Sequence, residues 1–257
     1  MNHHKVIHMR NCDYSEARKS LYVLFVVLLL ITAFYLLASL FISMGYESFR
    51  ASAHYADAAA TPRRVIVIDA GHGGEDPGAS GGGLYEKDVN LKVAYFLSQL
   101  LRENGSETLL TRSEDKMLYG EGNENRKKYY DLLNRALIAE SQENAVFVSI
   151  HMNKFPSESC RGLQTFYSVN NAGSKVLAEL IQQNAAFLQP QNKRVIKPSG
   201  KEIFLLDRLR MPAVLVECGF LSNPEEAKLL ADDEYLKKIA ITVYLGINGY
   251  LTREGNI

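Results

Sequence analysis

Apolar and polar positions along the chain fall into two regimes. From Leu21 to Ile42 the run LYVLFVVLLLITAFYLLASLFI holds 22 residues without a charge. It is apolar on every face and long enough to span a bilayer as a helix. Beyond residue 63 the apolar positions become periodic, and the period alternates. RVIVID (64–69) is a short apolar run before a glycine-dense stretch, as in a strand buried on both faces. From Lys87 to Glu103, Val93, Ala94, Leu97, Leu100 and Leu101 recur at helical spacing, and Asn104-Gly105 ends the pattern. ETLLTR (107–112) predicts a second strand, and Asn125 to Gln142 a helix with Tyr130, Leu133 and Leu137 on one face. AVFVSI (145–150) and GLQTFYSV (162–169) predict two further strands, and Ser174 to Leu188 a helix. PAVLVE (212–217) predicts a fifth strand, and SNPEEAKLL (222–230) a short helix capped by the residue before Pro224. Leu236, Ile239, Val243, Ile247 and Tyr250 mark a final amphipathic helix. Alternation of this kind predicts one α/β domain with a mostly parallel or mixed twisted sheet flanked by helices.

The division along the chain follows: a polar tail at 1–20, a transmembrane anchor at 21–42, an Ala- and Ser-rich linker at 43–62, and the domain at 63–257. Lys5, Arg10, Arg18 and Lys19 precede the span, whereas Arg50 alone follows it before Pro62. The positive-inside bias then keeps the N-terminus in the cytoplasm and places the domain outside. The alternative is a signal peptide cleaved at Ala51–Ala53, with secretion, but its apolar region would ordinarily be only ~7–15 residues. Lys plus Arg and Asp plus Glu both number 29, a balance that speaks against a nucleic-acid binder. Three cysteines are too few for a disulfide scaffold.

Candidate chemistry collects just past the predicted strands, where open α/β sheets place their sites. Gly71-His72-Gly73-Gly74 follows the first strand, His151-Met152-Asn153 the third, and Glu217-Cys218-Gly219 ends the fifth. Glu86 opens the first helix. Two histidines plus one carboxylate form a catalytic zinc set with an open position for water, and a second carboxylate is then needed as base. The spacing does not decide which of Glu86 and Glu217 binds metal. The same donors suit Fe(II), but those oxygenases favour all-β barrels. Each residue also has a plainer role. A histidine after a strand is often structural, although His72 lies in a glycine loop with little core to fill. Glu86 is also a good residue for a solvated helix start. Glu217 follows four apolar residues, and a buried carboxylate needs a partner or a function. Asp69 either orients His72 or caps the strand, and Asn153 either supports its loop or contacts substrate. The glycines lack the Lys and Ser/Thr of a phosphate loop and fit a tight turn that presents His72. Cys218 reads as a small core residue, and a Cys160–Cys218 disulfide is left open.

IVIDAGHGGEDPGASG…YEKDVNL, the Thr-Arg at 111–112, NRALIAE, VFVSIHMN and VLVECGFLSNPEEAKLL together resemble the zinc-dependent N-acetylmuramoyl-L-alanine amidases, in order over 64–252. The resemblance assigns one Zn2+ to His72, Glu86 and His151, and the catalytic role to Glu217. It implies hydrolysis of the amide between the lactyl group of N-acetylmuramic acid and L-Ala in peptidoglycan. Among these enzymes the single N-terminal span and the RMPAVLVECGFLSNPEE stretch resemble the germination-specific amidases, which implies a spore-cortex role. Division-type relatives carry a helix that plugs the site. The stretches 115–135 and 152–161 show none, which leaves control to an activating partner protein or to timed expression. The competing functions are a non-catalytic wall-binding protein on the same fold and a zinc peptidase or deacetylase acting on the same polymer.

Overall fold

A computed structural model describes residues 18–40 and 64–254, and the chain divides into two units, Met1–Thr61 and Pro62–Ile257. In the first unit, helix α1 (Arg18–Leu40) is long and apolar enough to cross a membrane, an 18-residue window of it reaching a mean hydropathy of 2.8. Its described part takes in Arg18, Lys19 and Ser20 ahead of the predicted span. The rest of the tail, the last two positions of the span and the linker lie outside the described residues, as do Cys12 and Ala51–Ala53.

The second unit runs β1 (Val65–Ala70), β2 (Ser80–Gly81), β3 (Leu84–Tyr85), α2 (Glu86–Glu103), β4 (Glu107–Leu110), α3 (Lys127–Glu140) and β5 (Ala145–Asn153). It continues with β6 (Gln164–Tyr167), α4 (Ala172–Leu188), β7 (Lys197–Pro198), α5 (Phe204–Arg208), β8 (Ala213–Phe220), α6 (Pro224–Leu230) and α7 (Asp233–Glu254). The main sheet has the order β4-β1-β5-β8-β6-β7. Its first four strands are parallel, β6 is antiparallel to β8, and β7 is parallel to β6.

Side chains alternate across this sheet, as strand geometry requires. Ile66, Ile68, Val148, Ile150, Val214 and Val216 pack with α2, α4 and α7. Val67, Phe147 and Leu215 pack with α3 and α5 on the other face. Both faces are covered, which is why the parallel strands read as continuous apolar runs. Val93, Leu97 and Leu101 of α2 are fully buried, each stabilising the domain by about 1.5–3 kcal/mol. Asn223 accepts from Glu225 N and Glu226 N ahead of Pro224, the cap the sequence predicts for α6.

Several elements differ from their predicted limits. β5 and β8 both run three residues further, because their pairing continues through His151↔Glu217 and, past a bulge, Asn153↔Phe220. β4 stops at Leu110, and Thr111 and Arg112 turn inward to make buried polar contacts. The β2–β3 hairpin, β7 and α5 are too short for any periodicity to mark them.

The carboxyl end of β1 is fixed by a buried ion cluster. Asp69 accepts from Arg135 Nη1 (2.8 Å) and Thr111 Oγ1 (2.7 Å) at one oxygen, and from Ser149 Oγ (2.6 Å) at the other. Burial pushes the Asp69 pKa up, but Arg135 and the two hydroxyls outweigh it and hold the group below 3.8. Arg135 also bonds both Asp131 oxygens and the carbonyls of Ala70 and His72. Arg112 collects the carbonyls of Ala70, Gly71, Lys87 and Glu114.

Removing one partner of a buried pair strands the other charge, so Arg135→Met is expected to cost about 3–5 kcal/mol in urea unfolding. A shift below 1 kcal/mol would show that the cluster is not holding the fold. Because the folded pKa of Asp69 lies below the unfolded value of 3.8, its contribution is present above 3.8 and lost as pH falls through the folded value. Asp69→Asn should therefore be less stable at neutral pH and lose less stability between neutral and acid than the wild type.

Candidate active site

Four side chains converge at the carboxyl end of the parallel strands. His72 lies two residues past β1 with φ 62°, a left-handed conformation that side chains rarely adopt. Its carbonyl is held by Arg135 Nη2 at 2.7 Å, and its Nδ1 contacts Asp76 Oδ2 at 2.9 Å. With the Nδ1 proton given to Asp76, Nε2 presents its lone pair, 3.3 Å from Glu86 Oε1. Glu86 is the first residue of α2, and its Oε1 also lies 2.8 Å from His151 Nδ1 and accepts from Met152 N. Its Oε2 accepts from Ala79 N at 2.7 Å. The three ligand atoms lie within 4.8 Å of one another, and the two imidazoles face edge to face-on at 5.0 Å. Two ring nitrogens aimed at one carboxylate oxygen match the donor set of an open zinc site.

The electrostatics separate the two glutamates. Burial raises the Glu86 pKa, but hydrogen bonds and charge from His151 and His72 outweigh it and hold the group well below the usual carboxylate range. For His72, burial lowers the pKa, and the Glu86 and Asp76 carboxylates more than offset that. Glu217 stands beside His151 across the β5–β8 ladder. Its Oε2 is buried and has no hydrogen-bond partner. Desolvation, assisted by the Glu86 charge, lifts its pKa to about 7. A carboxyl group poised near neutrality is suited to general acid–base work.

Two glycines let the site close. A Cβ on Gly71 would sit 2.3 Å from the His151 ring, and one on Gly78 (φ 66°) 2.5 Å from Glu86 Oε2. The sequence suggests that the glycines present His72, and the structure adds that they also make room for the other two donors.

The four predicted site residues are thus together. The suggestion that Asp69 orients His72 is corrected: both Asp69 oxygens are taken by Arg135, Thr111 and Ser149, and Asp76 holds the ring instead. Asp76 was missed although it stands four residues after His72 in the same loop. Arg135 and Arg112, noted as motif letters, are the clamps on the loop carbonyls. The Asn153 carbonyl accepts from Leu221 N, a structural role. Cys160 and Cys218 are free, and burial pushes the Cys218 thiol well up, which fits a core residue. Of the stretch 115–135, residues 127–135 belong to α3, whereas 115–123 and 152–161 hold no helix, and the His72 and His151 side chains keep 18% exposure.

Comparison with known proteins agrees with this geometry. The family described as N-acetylmuramoyl-L-alanine amidase matches residues 66–249. The germination-specific N-acetylmuramoyl-L-alanine amidase of Bacillus subtilis (strain 168) is 38% identical over 196 residues, which cover 75% of this chain and 82% of that protein. The CwlD amidase from Clostridioides difficile, solved in complex with the GerS lipoprotein, is 41% identical with a TM-score of 0.71, covering 74% of this chain and 100% of that one. The catalytic domain of CwlV, from Bacillus (Paenibacillus) polymyxa var. colistinus, is 34% identical with a TM-score of 0.64, covering 74% and 98%.

Asp76→Ala is expected to weaken metal affinity roughly 10–100-fold in chelator competition, the usual cost of losing a carboxylate behind a ligating histidine. Its metal-free thermal midpoint should move little. Unchanged affinity would remove Asp76 from the site.

Proposed function

The chain belongs to the N-acetylmuramoyl-L-alanine amidase family, and on that premise we propose that it is a zinc enzyme cleaving the amide between the lactyl group of N-acetylmuramic acid and L-Ala of the peptidoglycan stem peptide. His72 Nε2, Glu86 and His151 Nδ1 would hold one Zn2+. When bound, that ion supplies a polarised amide carbonyl and an acidified water. The protein's own residues do the rest. Asp76 holds the His72 proton at Nδ1. Glu217 Oε2 takes the proton of the attacking water and returns it to the departing L-Ala nitrogen. The observation that carries this reading is the orphaned, buried Glu217 oxygen beside three converging donors.

The setting belongs to the same proposal. Helix α1 serves as a membrane anchor, with residues 1–20 in the cytoplasm and a linker at 43–62, and it holds the catalytic domain of 63–257 on the wall side. The likeness to a germination-specific amidase supports spore cortex as the substrate. The solved assembly of the CwlD amidase with a lipoprotein supports an activating protein partner.

Zinc-loaded protein incubated with purified peptidoglycan should release peptides with a free L-Ala amino terminus, identified by mass spectrometry, and a chelator should stop the release. New ends at any other bond would replace this assignment. Glu217→Gln should retain one zinc and lose about 10²–10⁴-fold in turnover, the range for a general acid–base group. Full activity in that variant would dismiss Glu217 as the base.

A further inference from the structure

Beside Glu217 lies a fixed cation that the mechanism above does not use. Gln164, the first residue of β6, stands opposite Glu217 in the antiparallel ladder. Its Oε1 accepts from Arg194 Nη1 at 3.0 Å, and its Nε2 donates to Val195 O at 2.8 Å. Arg194 Nε donates to Arg161 O at 2.6 Å, and its guanidinium stacks 4.4 Å from the Phe220 ring centre. The side chain is therefore pinned on three sides. Among the described residues, its Nη2 has no hydrogen-bond partner and no carboxylate pairs with it. Glu226, near the same cavity, already uses both oxygens on Gly162 N and Phe220 N. That cavity, of about 620 Å³, is also lined by Arg161, whose own partner is the exposed Glu225, and by Lys193. Through Gln164, Arg194 is tied to β6, the strand that borders β8 on the side opposite β5 and His151.

Resting on the amidase reading, we infer that Arg194 is a substrate-positioning residue that binds a free carboxylate of the stem peptide. Glu217 must hand its proton to the leaving nitrogen, so the peptide side of the scissile amide lies toward Glu217 and continues past it over β6. A stem whose second residue is glutamate joined through its side chain keeps a free α-carboxylate one residue beyond L-Ala. That offset is about one peptide unit, ~3.8 Å between Cα atoms. A guanidinium already held in place loses little entropy on capturing such a group and favours it over a neutral amide.

The test compares two peptides, L-Ala-γ-D-Glu-L-Lys and the same peptide with the glutamate α-carboxylate converted to a carboxamide. Their binding to the full-length, zinc-loaded protein is measured by calorimetry. The wild type should bind the carboxylate form about ten times more tightly. Arg194→Gln should abolish that preference, and Arg194→Lys should keep part of it. With the matching muramoyl peptides, Arg194→Gln should raise KM more than it lowers kcat. Equal binding of both peptides by the wild type would overturn the inference even if Arg194→Gln misfolds, and so would a preference that survives in Arg194→Gln. Failure of the amidase reading looks different: the muramoyl peptides stay uncut while the binding preference stands.

Discussion

Everything at the catalytic end hangs on the ion cluster beneath it. Asp69 and Arg135 are fully buried, and their pairing is not a bonus added to a finished core. Arg135 brings a charge into the interior that Asp69 and Asp131 neutralise. Its remaining N–H groups then bind the carbonyls of Ala70 and His72. Arg112 does the same for Ala70 and Gly71. Three successive carbonyls that leave the sheet, and so lose their ladder partners, are recovered by two guanidinium groups. A buried unpaired carbonyl would cost free energy comparable to a lost hydrogen bond. The left-handed backbone at His72 is affordable only because its surroundings determine it so fully.

From that fixed turn the site follows by electrostatics. Glu86 and Glu217 are the same residue type and feel the same two histidines, yet their pKa values are driven apart. Glu86 lies between two imidazoles and two backbone N–H groups and stays ionised. Glu217 is buried with one oxygen unanswered and is pushed toward neutrality. Two carboxyl groups with opposed environments suit different work, one as an ionised donor and one as a proton carrier, a distinction that sequence spacing alone does not make.

The sequence made the donors legible because parallel strands end where sites form, so His72, His151 and Glu217 stand at predictable places. The α/β alternation was legible for the same reason: strands buried on both faces leave long apolar runs. Roles that depend on distant side chains were not legible. Nothing near Asp69 in the chain says that Arg135 and Ser149 fill its oxygens, 66 and 80 residues away. Asp76 was nearer to view, since it stands only four positions after His72 in the same loop. The hairpin and α5 escaped because two- to five-residue elements carry no period.

The reversal of β6 explains how a second set of groups reaches the site. A fifth parallel strand would have brought its carboxyl end to this edge, after a crossover helix. Running antiparallel, β6 brings its first residue instead, so Gln164 meets Glu217. The segments entering β6 and leaving α4 then meet on the same side, where Arg194 binds both Arg161 O and Gln164. The parallel half of the sheet, with the start of α2, thus brings together His72, His151, Glu217 and Glu86, the residues of the proposed chemistry. The antiparallel half supplies polar groups from loops, which are free to vary without disturbing the ion cluster under β1. On the proposed reading, such an arrangement separates bond cleavage from recognition of the peptide, so that a change of stem chemistry would be met at β6 and Arg194 while His72, Glu86, His151 and Glu217 keep their places.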